Sequence, residues 1–193
     1  MIAAIILAAG ESKRMGQPKM LLPWGDATVL GQVISVFEKS GVEDIFVVVG
    51  AAREQVEPMI DQYNAVIVHN EAYPNGEMLS SLQCGLHAMP SQAQATLICL
   101  GDQPQVQEES VRSICEAYQE RKSNLIVPSF QLRRGHPWLV ARPLWNELFE
   151  MNAPASPRDF LNKHAGEIQY VEVNTPTILA DLDTPEDYWA ARP

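Results

Sequence analysis

Five short runs constrain the fold of this 193-residue chain most: Ile2–Leu7, Ile45–Val49, Ala65–Val68, Thr96–Leu100 and Leu125–Val127. Each is apolar or β-branched at nearly every position rather than at alternate ones. Strands of that kind are buried on both faces, as in a parallel sheet covered by helices. Helical patterns separate them. Thr28 stands as a cap before Val29, Leu30, Val33, Ile34 and Phe37, and Gly41 follows as a stop. Glu54 to Gln62, Ser81 to Met89 and Glu108 to Arg121 supply further helices. The alternation predicts a doubly wound, Rossmann-like α/β fold with a mostly parallel sheet and right-handed crossovers.

After Pro128, which is expected to close the fifth strand, the rhythm changes. Phe130 to Val140 reads as a turn leading into a strand. Helices are expected around Leu144 to Met151 and Arg158 to His164, and a strand over Ile168 to Val173. Thr184 with Pro185 and Asp187 has the form of a helix start. No repeat or linker interrupts the chain, and at this length one domain is expected over residues 1–193.

The first strand ends in small residues and runs into Gly10-Glu11-Ser12-Lys13-Arg14-Met15-Gly16-Gln17-Pro18-Lys19. Gly10 and Gly16 permit backbone conformations and close approaches that a Cβ would block. Successive N–H groups in such a turn form a concave anion site, and Arg14 and Lys19 add charge-assisted contacts. The loop is suited to polyphosphate. The fifth residue after Gly10 is Met15, which breaks the Walker pattern, and Ser12 stands where a dinucleotide loop needs its second glycine. A plain strand–loop–helix joint with surface Arg and Lys is the competing reading.

A net charge of −10 argues against a nucleic-acid partner, which calls for a basic footprint. Cys84, Cys99 and Cys115 are scattered and odd in number, as expected for a chain in a reducing cytoplasm, and Cys99 reads as a core residue. Residues 1–9 read as a strand and not a signal peptide. No apolar stretch has membrane-spanning length, so no membrane partner is expected.

In open α/β sheets ligands sit beyond the carboxyl ends of the strands. Gly10 and Asp102 each follow a strand, so both can face one crevice. Asp102 can hold Mg2+ or cap the next helix. Asp181 and Asp183 flank Leu182 and share a face if extended, whereas Asp183 can equally be a helix-start acid. Ser80 and Ser81 either cap a helix or approach a ligand. Arg133-Arg134-Gly135-His136-Pro137 is either a solvated hairpin or an anion site, and His136 either a base or a structural residue.

The segment Leu7 to Lys19 with its continuation Met20-Leu21-Leu22-Pro23-Trp24-Gly25 resembles the signature of the MobA-like NTP transferases, and within them the molybdenum cofactor cytidylyltransferases. Gly101-Asp102-Gln103-Pro104, Leu182-Asp183-Thr184-Pro185 and Arg134-Gly135-His136-Pro137 extend the likeness. The resemblance implies a nucleotide-diphospho-sugar transferase type of fold, with a nucleotide-binding half over 1–105 and an acceptor-binding half over 106–193. It implies transfer of CMP from CTP to a phosphorylated pterin, molybdopterin or molybdenum cofactor, with release of pyrophosphate, Mg2+ as cofactor and a molybdoenzyme client. The nucleotide would meet Leu7, Ala8, Ala9, Gly10, Ser12, Arg14, Lys19, Ser80, Ser81 and Asp102. Arg14, Lys19 and Asp102 would carry catalysis, and Asp102 and Asp183 the metal. Arg134, Gly135, His136 and Arg158 would hold the acceptor. Ala9, where guanylyltransferases of the family have glycine, implies CTP.

Two segments depart from the pattern. Glu77 stands directly before Met78, where the family pattern Gly-Met-x-x-Ser-Leu has glycine. Ala153 to Asp159 replaces Gly-Asp-x-Gly-Ala-Arg, leaving Arg158 as its surviving element. Cytidylyl or uridylyl transfer to a sugar or methylerythritol phosphate, and a non-catalytic cofactor-binding module, are the rival expectations.

Overall fold

The computed structural model describes residues 1–120 and 122–193, with Asn75 and Gly76 described by backbone alone. Its strands are β1 (Ile2–Ala8), β2 (Pro23–Trp24), β3 (Ala27–Thr28), β4 (Ile45–Val49), β5 (Ala65–His69), β6 (Ala95–Leu100), β7 (Leu125–Phe130), β8 (Arg133–Arg134), β9 (Trp138–Ala141) and β10 (Gln169–Glu172). Its helices are α1 (Val29–Lys39), α2 (Arg53–Ile60), α3 (Tyr73–His87), α4 (Glu108–Gln119), α5 (Trp145–Glu150), α6 (Pro157–Lys163) and α7 (Pro185–Ala191).

The main sheet runs β10-β7-β9-β6-β1-β4-β5, with β8 paired to β7. Neighbours are parallel except at β9, which lies antiparallel between β6 and β7, and at the β7–β8 hairpin. The mostly parallel α/β fold expected from the alternation is therefore present. From β1 the chain crosses outward to β4 and β5, then returns to β6 on the other side of β1. The sheet's switch point lies between β1 and β6, where such sheets bind their ligands.

The strands are apolar on both faces because both are covered. Ala4, Ile6 and Ala8 of β1 pack into a core with Leu30, Ile34 and Phe37, while Ala3, Ile5 and Leu7 pack into a second core with Leu82, Leu86 and Phe160. Thr28 caps α1 as expected, accepting from the Gly31 N–H at 3.0 Å.

Three local expectations are corrected. Helix α3 begins at Tyr73 rather than Ser81 and is broken at Glu77, which has φ 48° and ψ −159°. Strand β7 continues through Pro128 to Phe130. The β7–β9 ladder ends at Ile126, and Pro128 sits beyond it, where its carbonyl still accepts from Gly135 at 3.0 Å. Helix α4 ends at Gln119, and the expected end at Arg121 lies outside the described residues.

A small third cluster joins the chain's two ends. Met15, Leu22, Trp24 and Val29 pack against Leu182 and Tyr188, and the Tyr188 hydroxyl donates to the Pro23 carbonyl at 2.7 Å. Burying a side chain such as Leu182 contributes about 1.5–3 kcal/mol. That packing holds the C-terminal segment against the first loop.

Candidate active site

The loop after β1 is shaped by two residues in the left-handed region, Ser12 (φ 52°) and Gly16 (φ 71°). The Ser12 carbonyl accepts from Met15 and Gly16 at 3.0 and 3.1 Å, and its hydroxyl accepts from the Lys19 N–H at 3.2 Å. Ser12 thus organises the turn. Gly10 has neither the positive φ nor the close approach that would require glycine, since a Cβ there would meet nothing within 4 Å. Among the described residues, the backbone N–H groups from Gly10 to Arg14 have no acceptor within the chain. An open row of donors is an anion site.

Asp102 is delivered beside this loop by β6. Leu7 pairs in register with Leu100, and the Gly101 N–H donates to the Leu7 carbonyl at 2.9 Å. A Cβ at Gly101 would lie 3.1 Å from that carbonyl and from the Met20 Sδ, so the close approach of the two loops selects glycine. Asp102 does not cap a helix, because α4 starts six residues later behind Gln107.

Asp183 arrives from the opposite end of the sequence. The Leu182 N–H donates to the Asp102 carbonyl at 3.1 Å, which docks the segment. Thr184 and Asp187 form a reciprocal capping box on α7 and satisfy its first turn, leaving the Asp183 carboxylate for other partners. Its Oδ1 lies 3.4 Å from the Lys19 Nζ, and its Oδ2 accepts from Arg14 at 2.9 Å. The Lys19 ammonium also contacts Asp102 Oδ2, and both of those side chains are only 12 % exposed. One ammonium therefore touches both carboxylates, while Arg14 lies at the exposed rim.

Asp181 is held differently. Its Oδ1 accepts from the Gln103 amide, and Gln103 is buried with its own Oε1 lacking a partner among the described residues. Partial desolvation pushes the Asp181 carboxyl above the usual range, an effect the Gln103 hydrogen bond opposes and the charges of Asp102 and Asp183 reinforce.

A cavity of about 380 Å3 opens beside Lys19 and Asp102. Its apolar wall includes Leu7, Ala9, Tyr73, Met78 and Leu100, and Gly10, Glu11, Glu77 and Ser81 also line it. Ser81 is buried and accepts from Asn70 Nδ2 at 3.0 Å, and Asn70 also donates to Ser80 at 2.9 Å. Ser80 and Ala8 lie outside the cavity lining. Ala8 belongs to the opposite core, and Ser80 braces Asn70 and donates to the Glu77 carbonyl. A separate cavity, about 830 Å3, lies at the amino ends of the strands, beside Met1, Asp44, Gln94 and Asn124, away from these groups.

The four residues expected to hold the acceptor stand apart from this cavity. Arg134 donates to the Tyr170 hydroxyl at 2.9 Å and to Asn162 Oδ1 at 3.0 Å, tying the hairpin to β10 and α6. Gly135 packs on Ile178, where a Cβ would lie 2.4 Å from its carbonyl. The His136 ring stacks on Trp138 at 4.9 Å, its Nε2 has no partner among the described residues, and burial pushes its pKa down to about 4. Such a ring stays neutral near pH 7 and packs as a structural residue. Arg158 is exposed on the first turn of α6.

The Asp102 and Asp183 oxygens fit a hard divalent cation, since both already share one positive group. Among the described residues no three His, Cys, Asp or Glu side chains gather to hold a metal by themselves. Magnesium characteristically takes one or two carboxylates and completes its shell with water and phosphate. Sequence reasoning missed Glu77, Gln103 and Asn70 as contributors. Their nearest signals were the Glu77 departure from the family pattern and the position of Gln103 directly after Asp102.

Comparison with known proteins agrees with this fold. The model of the MobA-like NTP transferase domain matches residues 4–168. The chain is 31 % identical over 191 residues to the molybdenum cofactor cytidylyltransferase of Escherichia coli (strain K12), covering 99 % of this chain and 95 % of that one. The crystal structure of Rv0371c from Mycobacterium tuberculosis H37Rv superposes with a TM-score of 0.85 at 28 % identity, over 98 % of this chain and 96 % of its own. The same protein in complex with manganese gives 0.75 at 27 % over the same shares. With a family match over most of its length and a full-length relative above 30 % identity, this chain belongs to the MobA-like NTP transferase family and is a nucleotidyltransferase.

Proposed function

We propose that the protein transfers CMP from CTP to a phosphorylated pterin, molybdopterin or molybdenum cofactor, and releases pyrophosphate. The observation that carries the reading is the Lys19 ammonium in contact with both Asp102 and Asp183 at the mouth of the cavity. Three groups brought from residues 19, 102 and 183 make a site for one metal-bound triphosphate. Ala9 in the cavity wall supports CTP, since its methyl narrows the space for a base. The E. coli relative supports the pterin acceptor by its name.

In this reading the Gly10–Arg14 amides cradle the β- and γ-phosphates. Lys19 turns from the carboxylates toward the α- and β-phosphates, and Arg14 neutralises charge at the rim. An acceptor phosphate oxygen attacks the α-phosphorus in line, and pyrophosphate departs with the electron pair of the broken P–O bond. The acceptor phosphate is already ionised, so no strong base is required. Catalysis is positioning and charge stabilisation. Mg2+ held by Asp102 and Asp183 would supply Lewis-acid stabilisation of the phosphate oxygens, as the manganese bound by the M. tuberculosis neighbour supports.

Residues 1–105 then form the nucleotide half and 106–193 the acceptor half of one domain. Arg134, Gly135, His136 and Arg158 belong to the acceptor side. Arg134 and Gly135 shape the hairpin there, His136 packs beneath it, and Arg158 is an exposed cation on α6. The product passes to a molybdoenzyme. Three free cysteines suit work in the cytoplasm, and among the described residues no helix is long and apolar enough to cross a membrane.

The test is pyrophosphate release from each of the four NTPs with Mg2+ and a panel of acceptors. Release with CTP and molybdopterin is expected. Release only with a sugar or methylerythritol phosphate would replace the acceptor, and tight binding without release would make the protein a carrier.

A further inference from the structure

The nucleotide cavity holds an acid that the scheme above leaves unused. Glu77 lines it beside Tyr73, Pro74, Met78 and Ser81. Its backbone, at φ 48° and ψ −159°, breaks α3 at the edge of a region that is essentially glycine's. Holding a side chain there costs on the order of 1–3 kcal/mol. Glycine would remove that cost, and glycine lies one residue earlier at Gly76.

The charge is as unexpected as the backbone. The Glu77 side chain is exposed, and among the described residues its carboxylate has neither a hydrogen-bond nor an ion-pair partner. A bare carboxylate near a triphosphate site repels the phosphates. A strained acid in a cavity wall, with no partner of its own among the described residues, is free to accept from a donor in the ligand.

Ser81, one helical turn further on, supplies the complementary group. Its Oγ accepts from Asn70, and among the described residues its own proton has no acceptor. The cavity therefore presents a free hydroxyl donor and a free carboxylate acceptor from the two sides of the α3 break. Cytosine has the matching edge, with O2 and N3 as acceptors and the exocyclic N4 amino group as donor. Uracil shares O2 but carries a carbonyl at position 4, which a carboxylate repels.

On the reading of this cavity as the nucleotide site, we propose that Glu77 is a specificity-determining residue that selects CTP over UTP by accepting a hydrogen bond from the cytosine amino group. Ser81 then serves the pyrimidine edge that both bases share. Ala9 limits the size of the base, while Glu77 reads its amino group.

Calorimetric titration of the full chain with CTP and with UTP, each in Mg2+, tests this without an acceptor. The wild type should bind CTP about tenfold or more tighter than UTP. Glu77→Gln, whose amide can turn either its oxygen or its NH2 to the base, should bring the two affinities within about threefold. Glu77→Gly should do the same while raising Tm, which separates loss of the contact from loss of the fold. A CTP preference that survived in both variants, or a wild type without preference between CTP and UTP, would overturn the role of Glu77. A wild type that bound none of the four NTPs would instead refute the nucleotide site on which the proposal stands.

Discussion

The backbone N–H of Leu182 donates to the carbonyl of Asp102 at 3.1 Å, joining two segments eighty residues apart in sequence. Leu182 also fills the small cluster with Met15, Leu22, Trp24, Val29 and Tyr188. Through that one residue, packing at the chain's two ends sets where Asp183 meets Lys19.

Leu182→Ala should therefore affect both stability and turnover. Loss of a buried leucine typically costs about 2–5 kcal/mol, and at this chain length Tm should fall by about 4–20 °C. Transferase kcat should fall at least about tenfold at a temperature where the variant is folded, because Asp183 is no longer held. Thermal unfolding and steady-state kinetics check the two parts separately. A variant with lowered Tm and full kcat would show that the cluster does not position the site.

Lys19→Ala removes the cation that two carboxylates share. Uncompensated, Asp102 and Asp183 repel each other and become a better site for a divalent ion. Mn2+ alone should raise the Tm of Lys19→Ala by more than it raises that of the wild type, while transferase turnover falls about a hundredfold or more. Differential scanning fluorimetry with and without Mn2+ reads the first effect. Equal metal-induced shifts in both proteins would contradict the shared contact.

Asp102→Asn and Asp181→Asn should part company. Asp102 contacts Lys19, whereas Asp181 is engaged by Gln103. Pyrophosphate release should fall about a hundredfold or more in the first and less than about tenfold in the second. Similar losses in both would mean that Asp181 also reaches the reacting groups.

His136 gives a pH signature. Burial lowers its pKa to about 4, below the ordinary value of 6.5. Between those values the unfolded chain binds a proton that the folded chain does not. The contribution of His136 is complete above about pH 6.5 and is lost as pH falls toward 4, amounting to on the order of 3 kcal/mol. His136→Gln should flatten this part of the stability profile measured by urea unfolding. NMR titration of the His136 ring near pH 6.5 would contradict the buried neutral state.

Much of this architecture is legible in the amino-acid sequence because its causes are local. Double-faced apolar runs specify covered strands, and glycine next to Asp102 permits β6 to approach β1 closely. The likeness to the MobA-like pattern extended that reading to the convergence of Lys19, Asp102 and Asp183. Strand β9 was less legible, because its antiparallel insertion between β6 and β7 depends on contacts distant in sequence. Tyr73-Pro74-Asn75-Gly76 has turn composition, which concealed that α3 begins there. The sequence leaves Arg134 between a solvated hairpin and an anion site, and only the fold supplies Tyr170 and Asn162 as its partners. The strain at Glu77 is invisible in one dimension, since only the break in α3 forces its positive φ.

Manganese binding followed by electron paramagnetic resonance in the presence of CTP tests the shared metal-triphosphate site most directly. The wild type should hold one tightly bound Mn2+ per chain, with affinity falling about tenfold or more in both Asp102→Asn and Asp183→Asn. Unchanged manganese affinity in either variant would contradict the convergence of these two carboxylates on a single metal-bound triphosphate.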